Sequence, residues 1–210
     1  KILEQTVIFL IQKKVIGWFQ GKMEFGPRAL GSRSIIADPR HQKMQKNINL
    51  KIKFRESFRP FAPAVLKENQ NDWFDLKIDS PYMLIVGKIL EKHRLKIKSS
   101  GFKVLDEKIS KIPSITHVDY TSRIQTVSEK SNKLFYKLIK EFKKKTECPI
   151  LINTSFNIRG EPIVCSPEDA FNCFMGTDMD ILVIGNFILE KNKQKPQSSK
   201  NEYKEKFELD

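Results

Sequence analysis

The chain has 210 residues, a net charge of +13 and 40% hydrophobic residues, the profile of one folded domain with a substantial core. Its longest apolar runs, such as Val7-Ile8-Phe9-Leu10-Ile11, fall far short of the roughly 20 residues that span a bilayer. Residues 1–14 lack the small-residue cleavage site of a signal peptide, so a cytoplasmic protein with no membrane partner is expected.

Leu3, Val7, Leu10 and Ile11 recur at helical spacing and predict an amphipathic helix over residues 2–14. A strand is expected at 15–20, then a glycine- and arginine-bearing loop at 21–34 with one helical turn at 27–30. A short strand at 34–37, a helix at 41–50 and an irregular charged segment at 51–60 follow. Strands are predicted at 62–66 and 82–89 around a short helix near 71–74, and at 116–119 and 123–127 around a turn. Residues 91–111 are charged without period and read as a surface excursion, partly mobile. Phe135, Leu138, Ile139 and Phe142 mark the clearest helix, 132–147. A buried-type strand at 150–153 precedes a helix capped by Ser166, with Pro167 at its first position and Gly176 as its stop. Strands at 181–184 and 187–189 complete an α/β sheet, and the polar residues 191–210 read as a flexible tail. The chain begins on Lys1, which raises the expectation of a longer native polypeptide.

Cys148, Cys165 and Cys173, with no CxxC pair, argue against a disulfide framework or a zinc knuckle. His41, His93 and His117 form no HExxH cluster, so no protein-held metal site is expected. The basic excess is mostly lysine, 30 Lys against 8 Arg. A lysine-rich solvated face explains it better than a nucleic-acid surface. The arginines differ: Arg28, Arg33, Arg40, Arg55, Arg59, Arg123 and Arg159 all fall in motif-like segments. A guanidinium fork binds phosphate or carboxylate bidentately and an ammonium does not, which suggests an anionic ligand.

Four constellations carry the chemistry. In Glu24-Phe25-Gly26-Pro27-Arg28-Ala29-Leu30-Gly31-Ser32-Arg33-Ser34, glycines would let the backbone N–H groups approach an anion, although a structural turn with arginine ion pairs is the competing explanation. In Lys51-Ile52-Lys53-Phe54-Arg55-Glu56-Ser57-Phe58-Arg59-Pro60-Phe61, Lys53 and Arg55 stand two apart and would point the same way from an extended chain. The aromatic residues there would stack on a base or, more commonly, pack a core. In Asn153-Thr154-Ser155-Phe156-Asn157-Ile158-Arg159-Gly160-Glu161-Pro162, Ser155 and Asn157 share a face at the carboxyl end of a strand, where α/β sheets bind ligands. His117 and Asp119 read as a hydrogen-bonded structural pair more than a catalytic dyad, with Arg123 the better anion contact.

Together GWFQGKMEFGPRALGSRSIIADPR, KFRESFRPFAPAVL, THVDYTSRIQTV and NTSFNIRGEPIVCSPEDA resemble the nodulation-type and antibiotic O-carbamoyltransferases, in their C-terminal YrdC-like domain. Tyr120 and Ser122 depart from the family pattern, which has Gly and Ala there, and 91–111 is longer. The resemblance implies a YrdC-like, twisted, open mixed sheet with flanking helices over residues 1–190, a tail at 191–210, and an absent N-terminal actin-like ATPase-fold half. It also implies that carbamoyl phosphate and ATP, with Mg²⁺ carried by the nucleotide, yield carbamoyl adenylate. The absent half would then transfer the carbamoyl group to a small-molecule hydroxyl acceptor. By the same likeness Lys53, Arg59, Arg123 and Ser155 are assigned to catalysis, and Arg28, Arg33, Arg55, Asn153, Asn157 and Arg159 to ATP and carbamoyl phosphate. Two alternatives stand beside it: a YrdC-like module that binds or helps modify tRNA, and a non-catalytic interaction domain that nucleotide merely stabilises.

Overall fold

In the computed structural model, residues 1–99, 101, 107–195, 203, 205 and 207 are described. The chain opens with helix α1 (Ile2–Ile11) and strands β1 (Ile16–Phe19) and β2 (Arg33–Ala37), then α2 (Met44–Lys51), β3 (Ala62–Leu66) and the single turn α3 (Gln70–Trp73). Strands β4 (Phe74–Asp75), β5 (Ile85–Ile89) and β6 (Thr121–Val127) follow. The last part comprises α4 (Lys133–Thr146), β7 (Ile150–Ser155), α5 (Pro167–Gly176), β8 (Ile181–Ile184) and β9 (Phe187–Glu190).

The strands form one open mixed sheet in the order β4-β5-β6-β3-β7-β2-β1-β8-β9. Two pairings are parallel, β3 with β6 and β1 with β8; the others run antiparallel. Strands β1, β2 and β3 are buried along their whole length; β1 and β3 are continuously apolar, as burial on both faces requires, whereas β2 also buries Arg33 and Ser34. Helix α4 packs on β3 and β7, α1 packs against α4, and α5 lies on β1 and β8. Trp18, Phe135, Phe142, Phe156 and Phe174 are fully enclosed in this core.

The caps explain where the helices begin and end. Asn132 accepts the amide of Phe135 at 3.0 Å, and Glu147 closes α4 in the left-handed region at φ 61°. Ser166 and Asp169 form a reciprocal capping box around Pro167. Gly176 does not stop α5 through a left-handed turn. It is the last helical residue, and the Lys191 ammonium donates to the carbonyls of Phe174 in the last turn and Thr177 just after it.

Several expectations are corrected. No helical turn forms at 27–30, because one Glu24 carboxylate oxygen accepts the amides of both Leu30 (2.7 Å) and Ser32 (2.6 Å). Residues 116–119 are not a strand: Asp119 accepts the Thr121 amide and hydroxyl, Tyr120 sits at φ 64°, and the chain turns straight into β6. Strand β5 starts only at Ile85, after Met83 at φ 57°. The 91–111 excursion is anchored at its base: His93 stacks on Trp73 at 3.9 Å, Arg94 bridges to Ser110, and Ile109 is buried. Its expected mobility falls partly on 100 and 102–106, outside the described residues. The same holds for much of the 191–210 tail, but at Tyr203 the expectation of a loose tail is wrong, since that side chain is buried.

Candidate functional site

The carboxyl end of β7 and the segment after α2 enclose a cavity of about 380 Å³, lined by Lys53, Arg55, Arg59, Ser155 and the 157–162 loop. A second cavity of about 130 Å³, between Arg28, Arg123, Met83 and Asn153, adjoins it through the shared walls Arg55 and Ser155. Six cations line the pair, Arg28, Lys53, Arg55, Arg59, Arg123 and Arg159, against one carboxylate, Glu161, among the described residues. Such a surplus in a concave site favours anions.

The buried end of the site is held by Lys53, which is only 4% exposed. Its ammonium lies within hydrogen-bonding distance of four oxygens: Ser155 O (2.6 Å) and Oγ (3.1 Å), and Asn157 O (2.9 Å) and Oδ1 (2.7 Å). Ser155 Oγ also donates to Asn157 Oδ1 at 2.7 Å. Burial, reinforced by the Arg55 charge and opposed by Cys173 and Glu161, pulls Lys53 from 10.5 to about 7. The ammonium therefore staples the ligand loop to the α2 segment while remaining close to losing its proton.

The expected period-two alignment of Lys53 and Arg55 does not occur. Phe54, between them, is left-handed at φ 48°, and the amides of Lys53 and Arg55 bond back to Ile48 and Asn49. Both side chains reach the cavity, but through a turn. The buried Asn49, which nothing in the sequence singled out, sets Arg55 by accepting its Nε at 2.7 Å. It also donates to the carbonyls of Ser57 and Arg59. Burial, then Arg59 and Arg123 against Glu56, lowers Arg55 to about 10, still a cation at neutral pH. Burial and then Arg28 lower Arg123 as well. Like charges held this close leave a favourable place for a polyanion. Arg59 is half exposed and pairs with Glu56 at 2.9 Å.

Asn153 sits under the smaller cavity, 1% exposed. Its Nδ2 donates to Ala29 O (3.0 Å) and Gln125 Oε1 (2.6 Å), and Gln125 Nε2 donates to Leu30 O. These bonds fasten the Arg28 loop to the sheet. Asn153 Oδ1 is buried and has no partner among the described residues.

Of the expected site residues, Arg33 alone is not brought here. It is 5% exposed, lies 3.5 Å over the Phe19 ring and donates to Gln20 O and Ser32 O. Arg40 is likewise structural, gripping the fully buried Asp38 carboxylate with contacts of 2.6 to 3.1 Å. The backbone N–H groups of Leu30, Gly31 and Ser32 are taken by Glu24 and Ser34, so these three amides are not offered to an anion. Phe61 is core, and Phe58 faces a separate cavity of about 660 Å³ beside α2. His117 and Asp119 form an exposed pair at 3.0 Å. Burial opposes ionisation of Asp119, but bonds from Thr121 and His117 prevail and hold it at about 2. No cluster of three or more potential metal ligands occurs among the described residues, and none of their helices is long and apolar enough to cross a membrane.

The fold is an open mixed α/β sheet that gathers guanidinium groups around the end of a central strand. The chain belongs to the Carbamoyltransferase C-terminus family, whose model matches residues 8–191. It is 54% identical over 201 residues to the uncharacterized protein sll1178 of Synechocystis, covering 93% of this chain and 33% of that protein. It is 46% identical over 180 residues to the nodulation protein NolO of Bradyrhizobium diazoefficiens, covering 84% and 30%. The chain thus spans about a third of the length of these curated relatives. Among solved structures, P. abyssi Sua5 complexed with L-threonine superposes at a TM-score of 0.58 with 15% identity, over 87% of this chain and 46% of that one. Full-length HypF in its phosphate- and nucleotide-bound form gives 0.55 with 17% identity, over 88% and 25%. At these identities the likeness is one of fold, and it agrees with the expected YrdC-like sheet.

Proposed function

We propose that this chain is the carbamoyl-activating part of an O-carbamoyltransferase. Carbamoyl phosphate and water give carbamate and inorganic phosphate; a carbamate oxygen attacks the α-phosphorus of ATP, and pyrophosphate leaves as carbamoyl adenylate forms. The observation that carries this is the pair of adjoining cavities walled by six cations and one carboxylate.

Charge grows on the phosphoryl oxygens during that displacement, and guanidinium groups already in place stabilise it without reorganising. Arg55 belongs to both cavities and would touch the transferring phosphorus centre, with Arg59 and Arg159 on the polyphosphate side and Arg28 and Arg123 on the carbamoyl phosphate side. The orphaned Asn153 Oδ1 needs an N–H donor, which a carbamoyl amide supplies. Lys53 holds Ser155 and Asn157 in place and adds positive charge beneath the ligand. Glu161 accepts from Ile158 N and from Tyr203, so Mg²⁺ would be held by phosphates and water more than by protein. Transfer to a hydroxyl acceptor falls to the remaining two-thirds of the relatives' length. The cation-lined cavities favour this reading over a tRNA-binding one, for which the net charge is the chief support.

The test is carbamoyl-phosphate-dependent ATP–pyrophosphate exchange. Exchange is expected with this chain and is expected to vanish in Arg59→Ala and Lys53→Ala. A folded, ATP-binding protein without exchange would contradict activation by this domain alone.

A further inference from the structure

Nothing in the polar tail marks Tyr203 for burial, yet it is only 7% exposed and its ring lies on the last residue of α5. That residue is Gly176, where any Cβ would overlap the Tyr203 ring. Its backbone is helical, so glycine supplies space here and not a special φ. The Phe207 ring meets Tyr203 edge-on at 5.6 Å and packs on the core. Gly176 therefore leaves a slot in which the Tyr203 ring is seated, with Phe207 beside it.

The seat leads into the site. The Tyr203 hydroxyl donates to Glu161 Oε1. Glu161, 8% exposed, lines the 380 Å³ cavity, and its Oε2 accepts the amide of Ile158 at 2.7 Å. Its carbonyl accepts Asn157 Nδ2 at 2.6 Å, and Asn157 in turn accepts Lys53. A buried carboxylate is stable only when its lone pairs are satisfied, and Tyr203 supplies one of the donors.

We infer that Tyr203 is a positioning residue: from behind the site, the C-terminal segment sets the 157–162 loop through Glu161. The ligand half of this inference rests on the nucleotide reading given above; the loop half does not. Without the hydroxyl, Glu161 loses a donor, its grip on Ile158 weakens, and the Asn157–Lys53 contact loosens.

The experiment uses the full chain with Tyr203→Phe, which keeps the ring, and Gly176→Ala, which displaces it. Amide exchange is followed without ligand, and ATP binding by calorimetry. In Tyr203→Phe, Ile158 and its loop neighbours should exchange about tenfold faster, with central β7 amides unchanged, and ATP should bind about tenfold more weakly at an unchanged unfolding midpoint. Gly176→Ala should reproduce the loop effect, and if it fails to fold Tyr203→Phe decides alone. Unaltered loop exchange in Tyr203→Phe would overturn the inference, as would uniform acceleration through the whole sheet, the mark of a merely structural role. A wild-type chain that binds no ATP would sink the nucleotide reading while leaving the exchange result to judge Tyr203.

Discussion

Lys53 and Arg55 are two residues apart and occupy opposite situations. Lys53 is enclosed, surrounded by four protein oxygens, and lowered to about 7. Arg55 is partly open, faces both cavities and has cationic neighbours. The left-handed Phe54 between them makes the difference, because it sends one cation inward and leaves the other at the wall. One cation builds the site, and the other is left with charge to offer a ligand.

The contrast breaks most visibly at Lys53. Lys53→Met would remove the ammonium from all four oxygens; Ser155 O keeps the Asn157 amide and Asn157 Oδ1 keeps the Ser155 hydroxyl, but Asn157 O and Ser155 Oγ lose their donor, and about 3 kcal/mol of stability should disappear, read from the urea midpoint. At the rim the opposite pattern is expected. Arg123→Ala should leave the midpoint unchanged or slightly raised, since like charges are relieved, whereas Arg55→Ala, which strips the buried Asn49 Oδ1 of its donor, should cost about 1 kcal/mol of stability. Each should weaken ATP or phosphate binding roughly 10- to 100-fold, the worth of a charge-assisted hydrogen bond.

A pH series sharpens the same comparison. Lys53 binds its proton less tightly folded, at about 7, than at its ordinary value of 10.5. Across that window the unfolded chain carries more protons than the native one, so this group makes stability rise with pH from about 7 to 10.5. Lys53→Met should lose that rise. Anion affinity should move the other way, falling as Lys53 discharges above pH 7. The smallest effect belongs to Tyr120→Gly. The left-handed φ of 64° favours glycine, whereas the lost Tyr120 hydroxyl bond to Leu95 O does not, so the midpoint should shift by less than about 1 kcal/mol.

The sheet and most of its elements were legible because apolar periodicity and end caps are local signals: the Phe135–Phe142 stripe, Asn132 and the Ser166 box stand where the spacing puts them. The preference for arginine over lysine pointed to the site, and five of the seven motif arginines line it. It misled at Arg33 and Arg40, which use the same guanidinium geometry to satisfy carbonyls or a buried aspartate. Asn49 and Tyr203 were missed as site supports, and Glu161 stood in a motif without a role, because each acts through a fold-dependent contact with a residue that periodicity does not align. Tyr120 shows the limit of turn chemistry: a residue that disfavours the left-handed region occupies it because Asp119 and His117 close the turn around it.

The most direct measurement is calorimetric titration of ATP into wild type, Arg55→Ala, Arg123→Ala and Arg33→Lys. Wild type and Arg33→Lys are expected to bind, with a loss of roughly tenfold or more in the other two. Equal affinity across all four proteins, or a loss confined to Arg33→Lys, would contradict the placing of ATP against Arg55 and Arg123.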